Sequence, residues 1–251
     1  MYGVSSDEHI PIWARPAPGE RKPAYSRERI AAAALAIADS EGYEAVTMRR
    51  VAAALGAGTM TLYHYVRNKD ELVALMDDAV MRELVVAEDE LGDDWREGFA
   101  QIARRSYAAF QRHRWMFDHL TQEGQTGPGG PNALRHVEQS LAAAARTGLD
   151  MAGQFELVAL LDDYVWGHAM RARYAADEDR GNVAEERLEA LIAYLEAQLK
   201  TGDFPHLEAL VGDDPRESFA RVAEIAGDPG RFERGLQRLL DGIALDLERR
   251  R

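Results

Sequence analysis

The 251-residue chain contains no cysteine, which excludes disulfides, thiol catalysis and cysteine-ligated zinc, and is compatible with a reducing compartment. It has no apolar run of the roughly 18 to 20 residues that a membrane helix requires, and its first residues lack the basic, apolar and small-residue pattern of an export signal. A cytoplasmic protein without membrane contact is therefore expected. Aromatic residues make up 8% of the chain and prolines number nine, and long alternating runs of Val, Ile, Thr and Tyr are missing, so nothing favours strands. Abundant Ala, Leu, Glu and Arg point instead to an all-α fold.

One stretch, Thr47 to Leu75, organises the rest. Thr47 is placed to cap a short helix that carries Val51, Ala52 and Leu55 on one apolar edge and stops at Gly56. Gly56-Ala57-Gly58 forms a turn, and Thr59 to Val66 is expected as a second short helix with Leu62 and Val66 inward, four residues apart. That is helix, turn, helix. Thr59, Met60, Thr61, Tyr63, His64 and Tyr65 are left with little apolar reason to turn inward. Their hydroxyl, imidazole and flat side chains suit phosphates and base edges in a major groove. Asn68 and Glu71 have the spacing of a capping box for a third helix, which places Lys69 in its first turn, against the helix dipole. A nearby DNA phosphate would account for that lysine.

The net charge of −13 looks wrong for a nucleic-acid binder until it is divided along the chain. Residues 21 to 70 hold eight Lys/Arg against five Asp/Glu, a local balance of +3 that leaves −16 for the remainder. The basic end is the end that carries the helix-turn-helix pattern.

On the run Thr47, Val51, Ala52, Leu55, Gly56, then Thr61-Leu62-Tyr63-His64-Tyr65-Val66, then Asn68-Lys69-Asp70-Glu71-Leu72, the chain resembles the TetR family of bacterial transcriptional regulators. The resemblance implies an N-terminal three-helix DNA-binding domain and a larger helical domain for ligand binding and dimerisation. By position in that motif, the expected DNA contacts are Arg49, Thr59, Met60, Thr61, Tyr63, His64, Tyr65 and Lys69. Family members often differ at the places held here by Met60 and His64, so base preference does not transfer.

The first 24 residues, with Pro11, Pro16, Pro18 and Pro23 and no helical period, are expected as an extended arm. Arg15, Arg21 and Lys22 there suit either a minor groove or solvent, while Ile10, Ile12 and Trp13 suit packing back on the body. Residues 25–72 form the DNA-binding domain, with Ser26 capping its first helix and Gly42 ending it. Residues 73–251 form the body, entered through a helix carrying Leu72, Leu75, Met76, Val80 and Leu84. Further helices are expected over Asp94 to about His113, from Asn132 to near Gly148, from Met151 to Ala175, from Val183 to Leu199 and from Phe232 to Leu247. Gly212 to Gly230 reads as a polar stretch of weaker order. The glycine-rich loop Gly124 to Pro131 lacks the ending of a phosphate loop and holds no nucleotide.

Beyond about Glu90 the resemblance is to the ligand-binding domain of tetracycline-repressor-like regulators, through the Leu160 to His168 segment and the leucine-rich ending. It implies a mostly apolar pocket for a small-molecule effector, for which Trp115, Met116, Phe117, His119, Phe155, Tyr164 and His168 are the candidates. It also implies a homodimer paired through the 151–175 and 231–249 helices, although the same apolar stripes fit the inside of one monomer. No cofactor, metal site or catalytic set is expected: His113, His119 and Glu123 do not have metal-ligand spacing, and Asp162-Asp163 point about 100° apart on a helix. The expected function is a ligand-responsive repressor on a palindromic operator. A helical carrier and a helical enzyme are the alternatives, and both lack DNA binding.

Overall fold

The computed structural model describes residues 10–16, 25–117, 129–180, 185–212 and 214–250. Among them are eleven α-helices and no strand, so the all-α reading holds. Two compact units divide within one long helix, residues 1–166 and 167–251.

In the first unit, α1 (Arg27–Glu41) starts where the Ser26 hydroxyl accepts the Arg29 N–H at 3.2 Å and ends at Gly42, whose φ of 91° favours a residue without Cβ. Thr47 caps α2 (Met48–Ala54) in the same way, its hydroxyl accepting from Arg50 N at 3.1 Å. The turn passes through Gly56 at φ 64° into α3 (Thr59–Tyr63). That helix is shorter than the Thr59 to Val66 expected. From His64 the chain tightens into turns in which Tyr65 and Val66 both donate to the Leu62 carbonyl. Asn68 then caps α4 (Lys69–Leu84), accepting from Glu71 N at 2.9 Å. The Glu71 carboxylate returns to the backbone N–H of Arg67 at 2.7 Å rather than to that of Asn68, so the box closes one residue early.

These elements share one apolar cluster, in which Ile30, Val46, Val51, Leu62, Leu72, Met76, Val80 and Leu84 are joined by Trp115 and Met116 from the segment after α5 (Trp95–Arg112). The arm is not extended where it is described: Ile12–Ala14 forms a single 3-10 turn. Ile12 is buried with Ala31, Val66 and Leu75, as its apolar character suggested. Arg15 is ion-paired with Glu71, and Arg27 donates to the carbonyls of Ile12 and Arg15. Arg15 is thus committed to the body; Arg21 and Lys22 lie outside the described residues.

The next helix, α6 (Pro131–Ala145), begins two residues earlier than a start capped by Asn132 would, because Gly130 precedes it and Pro131 takes its first position. Asn132 instead binds α4: its backbone N–H and its amide donate to the two Asp78 carboxylate oxygens at 2.7 and 2.6 Å. A methyl group at Gly130 would overlap that carboxylate, which accounts for one glycine of the loop. Asp150 caps α7 (Met151–Arg180), accepting from Gly153 N at 2.9 Å, and this helix runs beyond Ala175.

The second unit holds the end of α7 with α8 (Glu185–Leu199), α9 (Pro205–Val211), α10 (Pro215–Gly227) and α11 (Gly230–Arg249). The stretch read as weakly ordered contains α10, started by Asp214 accepting from Glu217 N at 3.0 Å with Pro215 in the first turn. On α11 the stripe Phe232, Leu236, Leu240, Ile243 and Leu247 is buried within the folded chain. It is not a free surface for a partner. On α7, Met151, Phe155 and Leu160 are exposed.

Candidate nucleic-acid interface and body cavity

The reading surface begins with what it hides. Leu62 and Val66 are fully buried, and they pin a helix only five residues long against α1, α2 and α4. Residues flanking Leu62 are therefore turned outward. Met60 is 74% exposed and Tyr63 46%, His64 is exposed, and Thr59 and Thr61 are half-buried. Tyr65 differs, since part of its ring packs on the core cluster. On α2 the two arginines separate: Arg50 pairs with Glu41, whereas exposed Arg49 has no ion-pair or hydrogen-bond partner among the described residues. Lys69 has a reason for its position inside the chain, because its ammonium sits 4.3 Å from the centroid of the Tyr43 ring. A phosphate is not needed to explain it.

A polar joint ties α1 to the segment after α5. One Asp39 oxygen accepts from Trp115 Nε1 at 3.0 Å and lies 2.8 Å from His113 Nδ1, and His113 Nε2 is 3.3 Å from a Glu83 carboxylate oxygen on α4. Trp115 also stacks on Tyr43, with centroids 6.2 Å apart and planes 9° from parallel. These contacts hold Trp115, which was expected in the pocket, whereas its neighbour Met116 lines a cavity.

Met116 lines a cavity of about 440 Å³ in the first unit, within the range of small-molecule sites. Met81 and Leu84 of α4, Ser106 and Phe110 of α5, His136 of α6, and Asp162, Asp163, Val165 and Trp166 of α7 complete the wall. Phe117 is fully buried beside it, its ring 4.7 Å from that of Trp166. Of the other residues expected in a pocket, Phe155 is 53% exposed on α7, Tyr164 is half-buried outside the lining, and His168 packs edge-on against Phe232 in the second unit. His119 lies outside the described residues. Aromatic size was an incomplete signal: Phe110 and Trp166 line the cavity, while the described aromatic candidates do not. The better one was polarity out of place: Ser106 within the apolar stripe of α5, and two carboxylates amid Leu161, Tyr164, Val165 and Trp166.

The cavity wall is wired to the end of α4. Burial lowers the pKa of His136 and keeps its imidazole neutral, so Nδ1 accepts from Gln139 Nε2 at 2.9 Å, a tautomer assigned from the network. Buried Gln139 also donates to the Leu84 carbonyl at 3.0 Å and accepts from Val86 N at 2.8 Å, clamping the chain where α4 ends.

Desolvation, and then the charge of Asp163, push the Asp162 carboxyl up from 3.8 to about 6. The folded state thus binds that proton more tightly than the unfolded chain, so this carboxyl's contribution becomes less favourable as pH rises from about 4 to about 6 and stays so above. Thermal melts at pH 7.5 should show Asp162→Asn more stable than the parent, with the gap narrowing as pH falls through 6 and vanishing near 4. Equal melting at pH 7.5 would remove this account of the carboxyl. Asp162 is exposed, so solvent screening keeps the difference small.

No helix among the described residues is long and apolar enough to cross a membrane. Residues 30–76 match the family described as "Bacterial regulatory proteins, tetR family", and residues 88–247 match "Tetracyclin repressor-like, C-terminal domain". The chain is 36% identical over 241 residues to the HTH-type transcriptional repressor DrrR1 of Streptomyces coeruleorubidus, covering 94% of this chain and 83% of that one. It is 29% identical over 246 residues to an HTH-type transcriptional regulator of Saccharopolyspora erythraea, covering 96% and 95%. Among solved structures, the Streptomyces coelicolor TetR family protein ActR in complex with actinorhodin superposes with a TM-score of 0.65 at 28% identity, covering 89% of this chain and 97% of that one. With a helix-turn-helix unit at one end, a cavity-bearing helical body behind it and family matches that together span most of its length, the chain belongs to the TetR family of transcriptional regulators.

Proposed function

We propose that this protein is a homodimeric repressor that leaves a palindromic operator when a small, mostly apolar molecule enters the body cavity. The observation that carries the reading is α4 itself. One uninterrupted helix begins at Lys69, a few residues after α3, packs Leu72 and Met76 in the cluster that holds Leu62, and ends with Met81 and Leu84 in the cavity wall. An occupant that repositions Met81 or Leu84 acts on the element that seats the reading helix. Names of similar proteins support the two halves separately, a repressor in DrrR1 and a small-molecule complex in ActR.

In this scheme residues 25–72 read DNA, residues 73–251 bind the effector and the partner subunit, residues 1–24 form an arm, and the protein works in the cytoplasm. Arg49, Thr59, Met60, Thr61, Tyr63, His64 and Lys69 face the duplex, and Tyr65 does so only by its outer edge. Two subunits would set their reading helices one helical turn of DNA apart, about 34–36 Å, which is why a palindrome is expected. Since the α11 stripe is taken up inside the chain, the partner subunit is expected to meet the exposed Met151 and Phe155 of α7 and the opposite side of α11, where Leu245 is exposed. An effector that couples to DNA by about 1–3 kcal/mol changes operator affinity roughly 5- to 150-fold.

Tyr63→Ala and Lys69→Ala test the reading surface. Each is expected to weaken duplex binding by about tenfold, within the range for losing one contact, while melting temperature and subunit association stay near the parent's. Lys69→Ala should also flatten the salt dependence by about one phosphate. Binding like the parent in both variants removes the surface from the account.

A further inference from the structure

We propose that the body cavity takes an aromatic, largely apolar molecule carrying a protonated amine, with Asp162 and Asp163 as its counter-charge and Ser106 Oγ as its second polar contact. This rests on the effector reading above and narrows it to one chemical class. Among the described lining residues, Asp162 and Asp163 are the only acidic or basic side chains besides His136, and none is a lysine or arginine. Neither carboxylate has an ion-pair or hydrogen-bond partner among the described residues. Both residues keep solvent exposure, yet both border the cavity, where desolvation and then the neighbouring negative charge disfavour an ionised Asp162. A cation in the cavity relieves both costs.

Ser106 is an independent pointer. It is 5% exposed and lines the cavity, yet its Oγ has no hydrogen-bond partner among the described residues. A buried hydroxyl is normally satisfied, so this one is fitted to a ligand atom. Shape and polarity agree. Phe110 and Trp166 stand edge to face with centroids 5.6 Å apart, giving flat apolar walls suited to an aromatic body and a face that attracts a cation. His136, kept neutral by burial, adds no positive charge that would repel an amine or hold an anion.

Three probes with one ring system and different charge separate the possibilities: aminomethylanthracene, hydroxymethylanthracene and anthracene carboxylate, titrated by fluorescence into the purified full-length protein. The ammonium probe is expected to bind at least about tenfold more tightly than the alcohol, as a charge-assisted contact in a partly desolvated site allows, and the carboxylate most weakly. In the double variant Asp162→Asn, Asp163→Asn the ammonium preference should fall about tenfold with the affinity for the alcohol retained. Ser106→Ala should weaken both ammonium and alcohol about threefold. Melting curves of the variants establish that they are folded. Equal binding of ammonium and alcohol, tighter binding of the carboxylate, or an ammonium preference that survives in the double variant overturns the charge assignment and leaves the effector reading standing. If no probe binds while duplex DNA still does, the cavity is rejected as a ligand site, and the effector half of the proposed function falls with it.

Discussion

Alanine at Leu62 is expected to lower the unfolding free energy by about 2–5 kcal/mol, the range for truncating a fully buried leucine, and to abolish duplex binding in the same protein. The side chain has no exposed surface and sits in the cluster with Ile30, Val51, Leu72 and Met76. A five-residue helix has almost no stability of its own, so α3 keeps its orientation through Leu62, Val66 and the turns that donate to the Leu62 carbonyl. Denaturant unfolding and duplex titration on one sample check both parts. Near-parental values for stability and binding would mean that α3 is seated by something other than its buried leucine.

Alanine at Gln139 is the second large effect, reached through polarity rather than volume. Its amide satisfies the Leu84 carbonyl and the Val86 N–H at the end of α4, and truncation leaves both buried groups without a partner, at about 1–3 kcal/mol each. The loss should extend to regulation. With α4 no longer clamped beside His136, a ligand in the cavity should release DNA less effectively, although Tyr63 and Lys69 are untouched. A Gln139→Ala protein with parental stability and an undiminished response would place the coupling elsewhere, the joint formed by Asp39, His113 and Trp115 being the next candidate.

How much of this was legible in the residues follows from how local each signal is. Ser26, Thr47 and Asn68 announced three helix starts, and Gly42 and Gly56 two ends, because a cap or a positive φ is decided within a few residues. The outward set on α3 followed from Leu62 and Val66 alone. Asp214-Pro215 carried the same kind of local signal for α10, masked by a polar composition. The cavity was not legible, since it is built by four helices and the segment around Met116, and periodicity shows which face of a helix is apolar without showing what covers it. Trp115 illustrates the difficulty: its partners Asp39 and Tyr43 lie more than 70 residues earlier in the chain. The same limit applies to the α11 stripe, whose five buried positions fit a monomer core or a dimer seam equally well until the fold is known.

The measurement that bears most directly on the central claim is a binding selection with the purified full-length protein and random duplex DNA, carried out at two salt concentrations. A ligand-responsive dimeric repressor predicts enrichment of a palindrome whose half-sites are about one helical turn apart, bound more weakly by orders of magnitude as salt rises. Enrichment of no sequence at low salt would contradict it, and the cavity would then belong to a carrier or an enzyme.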